Sequence, residues 1–400
     1  MRFSKKIFFV VGFFGFLGFI TIFLIGFLFG QSTQLNASAL LFLNGNHEMG
    51  NLFSPYLEAW KIVHDQYLEQ PVNDMDLMHG SIQGMMESLG DPYSAYLDPE
   101  QFREQNAPLE GEYTGIGAWV DTSGEFLVIV SPMPNSPAED VGLKPGDVVK
   151  KIDNQDITNL DPSLVLRKIL GPENTQVLIT ITREEEPDLL EFEITRAVIP
   201  VPSVESELIN EHIGYIRLYT FGINSYDDFS LAVTQLLGQG ADNLIIDLRN
   251  NTGGYVDSAI DITSIFLEEK VVLIEEWGDG TTKDYLTSKD PVALNTPLYI
   301  LVNKGTASAS EITAGALQDY NRAILIGTTT FGKGLIQNWI PLKGDNGAIR
   351  VSIAHWLTPY GRQIQGLGLT PDIEIQFTET DYYNDIDTQL DKAIEVITTD

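Results

Sequence analysis

The chain has 400 residues, of which 43% are hydrophobic and 20% charged, a composition typical of globular domains and long enough for two or three cores. Its 56 acidic and 24 basic side chains give a net charge of −32, and no stretch rich in lysine or arginine offsets it. So acidic a surface repels phosphate backbones and disfavours nucleic-acid binding. The lack of cysteine excludes disulfides, thiolate metal ligands and a cysteine nucleophile.

The N-terminus carries a long apolar segment, residues 7–30, without a charged side chain. A helix of this length would extend about 36 Å, enough to cross a bilayer core of about 30 Å. The alternative is a cleaved signal peptide with "ASA" at 37–39 as its cleavage site, but such apolar regions are shorter, about 7–15 residues. Because Arg2, Lys5 and Lys6 precede the segment, we expect a single-pass cell-membrane anchor with the body on the extracytoplasmic side.

After the apolar segment the sequence predicts a stalk, two helices and a connection. Residues 31–50 are small and polar and indicate a stalk. From Pro55 to Leu89 apolar side chains recur every three or four residues, which predicts two helices packed on each other. "GDPYSAYLDPEQF" at 90–102 is rich in turn-forming residues and indicates a connection.

Residues 111–199 change to short β-type runs separated by glycine, proline and asparagine. Two short helical stretches, "SPAEDVG" and "DPSLVLRKIL", interrupt them. This pattern predicts a small α+β module of about one hundred residues.

From residue 213 onward strands alternate with helical patterns at 225–238, 257–267 and 308–320. The runs "NLIIDLR", "VVLIEEW", "PLYILVN" and "AILIGTTT" are almost continuously apolar, as strands buried on both faces require. A final helical stripe follows in "DTQLDKAIEVI". The fold class is therefore α/β and α+β multidomain, with a mixed α/β core.

The segment "NKGTASASEITAGAL" at 303–317 places three hydroxyls, Thr306, Ser308 and Ser310, where a helix begins. A serine nucleophile needs a base, and the α/β-hydrolase motif GxSxG is missing. His355 in "SIAHWLTP" would make a Ser/His hydrolase, although a partly buried strand histidine explains it as well. Lys333, between two glycines in "TTFGKGLIQ", is the better base if burial lowers its pKa from about 10.4 towards 7–8.

Two further patterns bear on this chemistry. "DLRNNTGG" at 247–254 predicts a tight loop at a strand's carboxyl end, where backbone N–H groups could form an oxyanion hole or simply make a turn. Successive helical residues turn by about 100°, so Ser308 and Ser310 point roughly 200° apart and only one can face the lysine. The spacing alone does not choose between them.

Residues 303–337 closely resemble the signature of the carboxyl-terminal processing proteases, the tail-specific Ser/Lys peptidases of family S41. Segments at 90–102, 247–254 and 357–375 resemble other parts of that family in the same order, and "YTGIGA" with "SPAEDVGLKPGDVVKKIDNQDI" looks like its PDZ domain. The resemblance extends over about residues 54–398.

The resemblance implies a role for each matching residue. Ser308, 25 residues before the lysine, would be the nucleophile, with Lys333 as the base and Gln337 orienting the lysine. The oxyanion donors would be the N–H groups of Ala309 and Gly254, in preference to Gly253. The PDZ loop, Gly115, Ile116 and Gly117, would bind a substrate's C-terminal carboxylate.

One position departs from the family pattern. Leu170 occupies the place of an arginine that the family uses in substrate sensing, which puts the gating by the PDZ domain in doubt. Proteins or peptides with exposed apolar C-terminal tails are the expected substrates, and neither a metal nor another cofactor is expected. The rival class is a catalytically silent PDZ scaffold. The sequence leaves the oligomeric state open, a homodimer included.

Together these patterns predict six regions: an anchor at 1–31, a stalk at 32–50, a helical region at 51–110, a PDZ domain with a connecting strand at 111–199, a peptidase core at 200–378 and a C-terminal helix at 379–400.

Overall fold

The computed structural model describes residues 47–122, 124–184, 186–377, 381 and 386–399. The predicted anchor at 7–30 lies outside these residues. Among the helices of the described part, none combines the length and the apolar character that crossing a membrane requires. The chain separates into two compact units, with the division after Ser81.

The first described elements are the two helices expected between residues 55 and 89. They are α1 (His47–Gln66) and α2 (Asp74–Glu87), and the division between the two units falls within α2. In the first unit the Tyr56 hydroxyl donates to Ser81 Oγ at 2.9 Å, and His64 Nε2 lies 2.7 Å from Asp74 Oδ1. These two contacts join the helices.

The segment 90–102, predicted as a turn-rich connection, contains regular secondary structure. It contains β1 (Ala95–Leu97) and the start of α3 (Pro99–Glu110). Asp98 caps α3, because its Oδ1 accepts the N–H groups of Glu100 and Gln101, and Gln101 Oε1 accepts the Asp98 N–H. The prediction of a plain turn-rich connection was wrong here, since the Asp and Pro residues cap and start a helix.

The module at 111–199 is antiparallel. Its strands are β2 (Glu112–Gly115), β3 (Ala118–Asp121), β4 (Val128–Pro132), β5 (Val148–Ile152), β6 (Gln155–Asp156), β7 (Gln176–Thr182), β8 (Leu190–Thr195) and β9 (Ala197–Pro200). Its helices are α4 (Pro137–Asp140) and α5 (Pro162–Ile169). The sheet runs β3-β4-β5-β7-β8, while β2 and β9 pair separately. Ile129, Val149 and Ile179 are fully buried in the core of the module.

The predicted core at residues 200–378 is built on a six-stranded sheet in the order β10-β11-β12-β15-β16-β19. Its strands are β10 (Val204–Ile209), β11 (Ile213–Leu218), β12 (Asn243–Asp247), β15 (Leu298–Val302), β16 (Ile324–Gly327) and β19 (Ile373–Glu374). All pairs are parallel except β10 with β11. Parallel strands place their carboxyl ends at one edge, so the loops after β12, β15 and β16 meet there.

Helices cover both faces of this sheet. They are α6 (Ser225–Gln239), α7 (Val256–Ser264), α8 (Ala309–Asp319) and α9 (Thr388–Thr399). The first three enclose the main hydrophobic cluster, where Phe229 and Phe266 meet edge to face. The last belongs to a separate cluster with Ile245 and Tyr299. This burial on both faces explains the continuous apolar runs of β12 and β15.

A second, antiparallel sheet runs β1-β18-β13-β14, with β17 on β18. Its remaining strands are β13 (Val271–Trp277), β14 (Thr282–Leu286), β17 (Leu335–Pro341) and β18 (Ala348–Leu357). The run "VVLIEEW" is β13 and therefore does not belong to the parallel sheet. Val272 and Leu273 are buried in the main cluster, whereas Glu276 and Trp277 are only partly buried. Only the first, apolar half of β13 therefore has the sequence of a strand that is buried on both faces.

Candidate active site

The turn between β15 and α8 holds Ser308 in an unusual conformation. Ser308 has φ 57° and ψ −119°, in a region that residues with a Cβ rarely adopt, and it immediately precedes the first helical residue, Ala309. Such a sharp strand-to-helix turn projects a serine outward, as the GxSxG motif does in other hydrolases. The chain therefore achieves the geometry of a nucleophile elbow without that motif.

Three hydroxyls lie near this turn, and the structure distinguishes them. Thr306 Oγ1 donates to the Leu248 carbonyl at 2.8 Å, and Ser310 Oγ donates to the Asn251 carbonyl at 2.9 Å. Both residues are fully buried, and both tie the turn to the loop after β12. Only Ser308 lines the open cleft.

Glu311 joins the serine turn to the lysine loop. Its Oε2 accepts the N–H groups of Ser308 and Lys333, each at 2.9 Å. Its Oε1 accepts the Gly332 N–H at 2.7 Å and the Thr330 hydroxyl at 2.5 Å. The side chain is completely buried, so four donors replace the water that this carboxylate has lost. We had not singled out Glu311 from the sequence, although the S-x-x-E spacing of a capping box was visible.

Lys333 follows β16 and enters the same cleft. Its backbone is fixed on both sides, because its own N–H donates to Glu311 and the peptide that follows accepts from Trp356 Nε1 at 2.9 Å and donates, through the Gly334 N–H, to Gln365 Oε1 at 2.7 Å. Burial lowers the pKa of Lys333, and the nearby positive charge of Arg350 lowers it further, while Glu311 opposes both. A lysine whose pKa is lowered in this way loses its proton at a lower pH than an ordinary lysine does.

Gln337 lies on β17 and lines the cleft, but it makes no hydrogen bond with Lys333 among the described residues. Its Nε2 instead donates to the Tyr93 carbonyl at 2.5 Å. This bond fixes the amide so that the Gln337 Oε1, an acceptor, is the atom left for other partners. The structure thus brings Gln337 to the site, in contact with a segment that the sequence analysis had treated as a connection.

The loop after β12 supplies a free backbone donor. The Gly253 N–H donates to Asn251 Oδ1 at 2.9 Å, and Asn251 Nδ2 in turn donates to the Leu218 carbonyl at 2.7 Å. In the part of the chain that the structure describes, the N–H groups of Gly254 and Ala309 have no acceptor. Gly254 has φ 152°, and a Cβ there would lie 2.4 Å from the Phe221 carbonyl oxygen, so only glycine fits.

The cleft has a volume of about 710 Å³, and Ser308, Lys333, Gln337 and Gly254 all line it. Apolar side chains form much of the remaining wall: Phe102, Leu109, Val256, Ile312, Leu335, Ile336, Trp339 and Trp356. No histidine is among the described residues that line it. His355 belongs to β18 but not to the cleft, and the Ser/His alternative therefore finds no support in the geometry.

The predicted carboxylate-binding loop connects β2 to β3. Gly115 ends β2, Ile116 is buried in the core of the module, and Gly117 has φ 75°. The Gly117 carbonyl accepts the Ser136 hydroxyl at 2.8 Å and the Met133 N–H at 2.9 Å. These two bonds hold the loop, and the Gly117 and Ala118 N–H groups lie beside the Tyr113 hydroxyl.

The side chain of Tyr113 faces these N–H groups. Burial raises the pKa of the Tyr113 hydroxyl, while the N–H groups of Ala118 and Gly117 favour its charged form and lower the pKa. A Cβ on Gly115 would lie 2.8 Å from the Tyr113 ring, so the ring covers the loop. The loop residues expected to offer N–H groups, Gly115, Ile116 and Gly117, do not include Ala118, and the motif "YTGIG" gave no role to the Tyr113 hydroxyl.

Leu170 and Arg196 lie beside the same loop. A Cβ on Gly115 would lie 3.1 Å from Leu170 Cδ2, which places this leucine against the loop. Arg196 is buried and donates to the Lys168 and Ile169 carbonyls at the end of α5. Sequence analysis missed this arginine, which caps the helix that precedes Leu170.

The fold and the cleft define a serine peptidase, and comparison with known proteins agrees. The model of peptidase family S41 matches residues 212–375, a PDZ domain model matches 128–183, and the N-terminal domain of the activating protease CtpB matches 35–101. This chain belongs to peptidase family S41 and is a serine-type endopeptidase of the carboxyl-terminal processing class.

The similarity to individual relatives extends over most of the chain. A carboxyl-terminal-processing protease of Synechocystis sp. is 35% identical over 350 residues, which cover 85% of this chain and 82% of that protein. The carboxy-terminal processing protease CtpB of Bacillus subtilis is 35% identical over 347 residues, 85% of this chain and 70% of that protein. A solved structure described as an S41 protease from Bacteroides fragilis shares the fold, with a TM-score of 0.52, 18% identity and coverage of 85% of this chain and 96% of that one.

Proposed function

We propose that this endopeptidase uses a Ser308–Lys333 pair, with Gln337 orienting the lysine. The observation that carries the proposal is the placement of a conformationally strained serine and a half-buried lysine of lowered pKa in one cleft, joined through the Glu311 carboxylate. A neutral Lys333 amine takes the proton of the Ser308 hydroxyl as the oxygen attacks the scissile carbonyl. The lysine then returns the proton to the leaving amine, and water hydrolyses the acyl-enzyme by the same route.

The negative oxygen of the tetrahedral intermediate would be bound by the N–H groups of Gly254 and Ala309. Both lack an acceptor in the described residues, whereas the Gly253 N–H is occupied by Asn251. A loss of one such donor in serine proteases costs roughly 10²–10³ in kcat. The N-terminus of α8 adds a partial positive charge at the same place.

Substrate choice would come from the PDZ domain. The N–H groups at Gly117 and its neighbours offer donors to a C-terminal carboxylate, and the tail would add as a strand at the edge of the module. We further propose that residues 7–30 anchor the enzyme in the cell membrane, with the catalytic body on the extracytoplasmic side. Its substrates would then be proteins with apolar C-terminal tails on that side.

The test is cleavage of an unfolded protein with an apolar C-terminus by the wild type, Ser308→Ala and Ser310→Ala. We expect Ser308→Ala to lose several orders of magnitude in kcat/KM, because the covalent route is gone. Ser310→Ala is the matched control, since its hydroxyl only donates to the Asn251 carbonyl, and we expect it to keep activity within about threefold of the wild type while unfolding about 1 kcal/mol more easily. The reverse pattern would falsify the assignment.

A further inference from the structure

The charge of the cleft is opposite to the charge of the chain. The sequence carries 56 acidic side chains and a net charge of −32. Yet among the described residues that line the cleft, two are basic, Lys333 and Arg350, and none is acidic. Low-dielectric walls around a cleft concentrate such a local potential, which attracts ligands of the opposite sign.

Arg350 lies on β18 and is held by neutral partners. Its Nε donates to the Tyr93 carbonyl at 3.0 Å, its Nη1 donates to Gln105 Oε1 at 3.1 Å, and the guanidinium lies 5.6 Å from the Trp339 ring centroid. Within the described part of the chain, Arg350 forms no ion pair. The negative charge of Asp91 raises the pKa of Arg350, but the Asp91 oxygens already accept from the Tyr93 N–H and the Ser94 hydroxyl.

A half-buried cation without a carboxylate partner is costly in the free enzyme. Burial lowers the pKa of Arg350 because removing the guanidinium from water destabilises its charged form. The guanidinium nevertheless stays charged in proteins. Two of its nitrogens are fixed by Tyr93 and Gln105, so its planar fork is oriented before any ligand arrives. Its Nη2 is free of protein acceptors among the described residues, and the residue borders the cleft that holds Ser308.

We infer that Arg350 determines specificity by binding a carboxylate of the substrate inside the catalytic cleft. The inference rests on the proposed function, because it takes the Ser308 cleft as the place of peptide binding. The carboxylate can come from an Asp or Glu side chain close to the scissile bond or from the free C-terminus of the tail itself. Either would pair with the pre-oriented guanidinium through charge-assisted hydrogen bonds.

The experiment measures peptide binding to the full chain carrying Ser308→Ala, so that no turnover occurs. Three matched peptides are compared: one with a glutamate near the scissile position and an amidated end, one neutral with a free C-terminus, and one neutral and amidated. For at least one of the first two, we expect a Kd about tenfold below that of the third. The peptide whose advantage falls when Arg350 is replaced identifies the source of the carboxylate.

Adding Arg350→Gln should reduce the advantage of the glutamate peptide to about twofold or less, or lower that of the free-acid peptide about fivefold, to the share that the PDZ loop contributes. Arg350→Lys should retain part of the lost share because the charge stays while the fork is lost. Lys343→Gln, which removes an exposed cation from the turn between β17 and β18, is the control and should leave the ratio unchanged. Carboxylate binding by the PDZ loop gives the free-acid peptide an advantage that Arg350→Gln does not change, so only the decrease in the advantage between the two backgrounds is assigned to Arg350.

Equal binding of all three peptides, or a result in which Arg350→Gln lowers neither the advantage of the glutamate peptide nor that of the free-acid peptide, would overturn the inference. Thermal melting of each variant shows whether it is folded, and Arg350→Lys carries the comparison if the glutamine variant is not. Failure of the Ser/Lys mechanism would be seen in a different measurement, because Ser308→Ala would then still cleave peptides.

Discussion

Glu311 holds the Ser308 turn and the Lys333 loop in one geometry, and a substitution that exchanges one carboxylate oxygen for an NH₂ group tests this. In Glu311→Gln an NH₂ group replaces one acceptor oxygen and faces two backbone N–H donors. Unpaired buried donors cost about 1–3 kcal/mol each, so we expect a lower melting temperature. We also expect kcat to fall at least tenfold with KM little changed, because the two loops lose their alignment. Steady-state kinetics and calorimetry check both effects; an unchanged kcat would show that Glu311 matters for folding alone.

The lowered pKa of Lys333 predicts the pH dependence of the reaction. Only the neutral amine can accept a proton, so kcat/KM should rise as pH increases through this pKa, below the usual 10.4 of lysine, and then level off. Arg350→Gln removes one of the two causes of the shift, so the rising limb should move to higher pH. Lys333→Arg should be inactive at every pH, because a guanidinium keeps its proton. A rise centred near 6.5 that disappears in His355→Ala would point to histidine instead.

At this scale the sequence predicted which residues reach the cleft but could not choose between the hydroxyls. Ser308 and Ser310 have the same chemistry, and only the backbone turn at Ser308 and the bond from Ser310 to the Asn251 carbonyl separate them. Those features depend on the loop after β12, which is more than fifty residues away in the sequence. The choice of Ser308 came from resemblance to the family.

At the scale of elements, α3 connects the PDZ domain with the cleft. Arg167 on α5 pairs with Glu104 on α3 at 2.9 Å, and the far end of α3 approaches the loop after β12, since a Cβ on Gly254 would lie 3.0 Å from Leu109 Cδ2. The segment before α3 presents the Tyr93 carbonyl to Gln337. The sequence could not show this, because a turn-rich composition does not reveal which distant strand a carbonyl will meet.

The Tyr113 hydroxyl faces the N–H groups that a substrate carboxylate would use, so its removal should favour tail binding. In Tyr113→Phe the ring and its packing remain while the competing oxygen is lost. We expect Kd for a free-acid apolar peptide to fall about threefold to tenfold. Fluorescence anisotropy with free-acid and amidated peptides measures this. Equal weak binding of both peptides by wild type and variant would mean that the loop does not capture carboxylates.

Leu170 lies against the PDZ loop, where the family has an arginine, and this predicts loose gating. An aliphatic side chain cannot pair with a carboxylate or with a group on the core, so tail peptides should activate the wild type only weakly. We expect Leu170→Arg to increase activation of small-peptide cleavage by an added tail peptide, and Leu170→Met, of similar volume, to leave it unchanged. Strong activation of the wild type would show that another contact, such as Arg167 with Glu104, transmits the signal.

At the scale of the whole molecule, the alternation of strands and helices correctly predicted a mixed α/β core, but not its division into two sheets. Strand β13 has the same kind of apolar run as β12, yet it pairs with β14 and β18 in the antiparallel sheet. An apolar run indicates that a strand is buried, but it does not indicate which of the two sheets the strand belongs to. Pairing is a property of distant contacts, which local sequence does not contain.

The predicted anchor gives a test of the complete chain. Without residues 1–46 the protein should be soluble and keep its peptidase activity, because the cleft residues all lie beyond residue 100. The full-length protein should remain in the membrane fraction after a high-salt wash, since a single apolar helix of this length partitions strongly into lipid. An external protease applied to intact cells should degrade its body. Recovery of the full-length protein in the soluble fraction with residues 7–30 still attached would contradict the anchor.

The most direct test of the central claim is to identify the residue that becomes covalently modified. A peptidyl fluorophosphonate with an apolar sequence loses fluoride when a serine oxygen attacks its phosphorus, and mass spectrometry of the digested protein then locates the adduct. We predict a single adduct on Ser308, formed faster as pH rises and absent in Lys333→Met, while Ser310→Ala is labelled like the wild type. Labelling at Ser310 or Thr306, or undiminished labelling of Ser308 in folded Lys333→Met, would contradict the assignment of Ser308 as the nucleophile and Lys333 as its base.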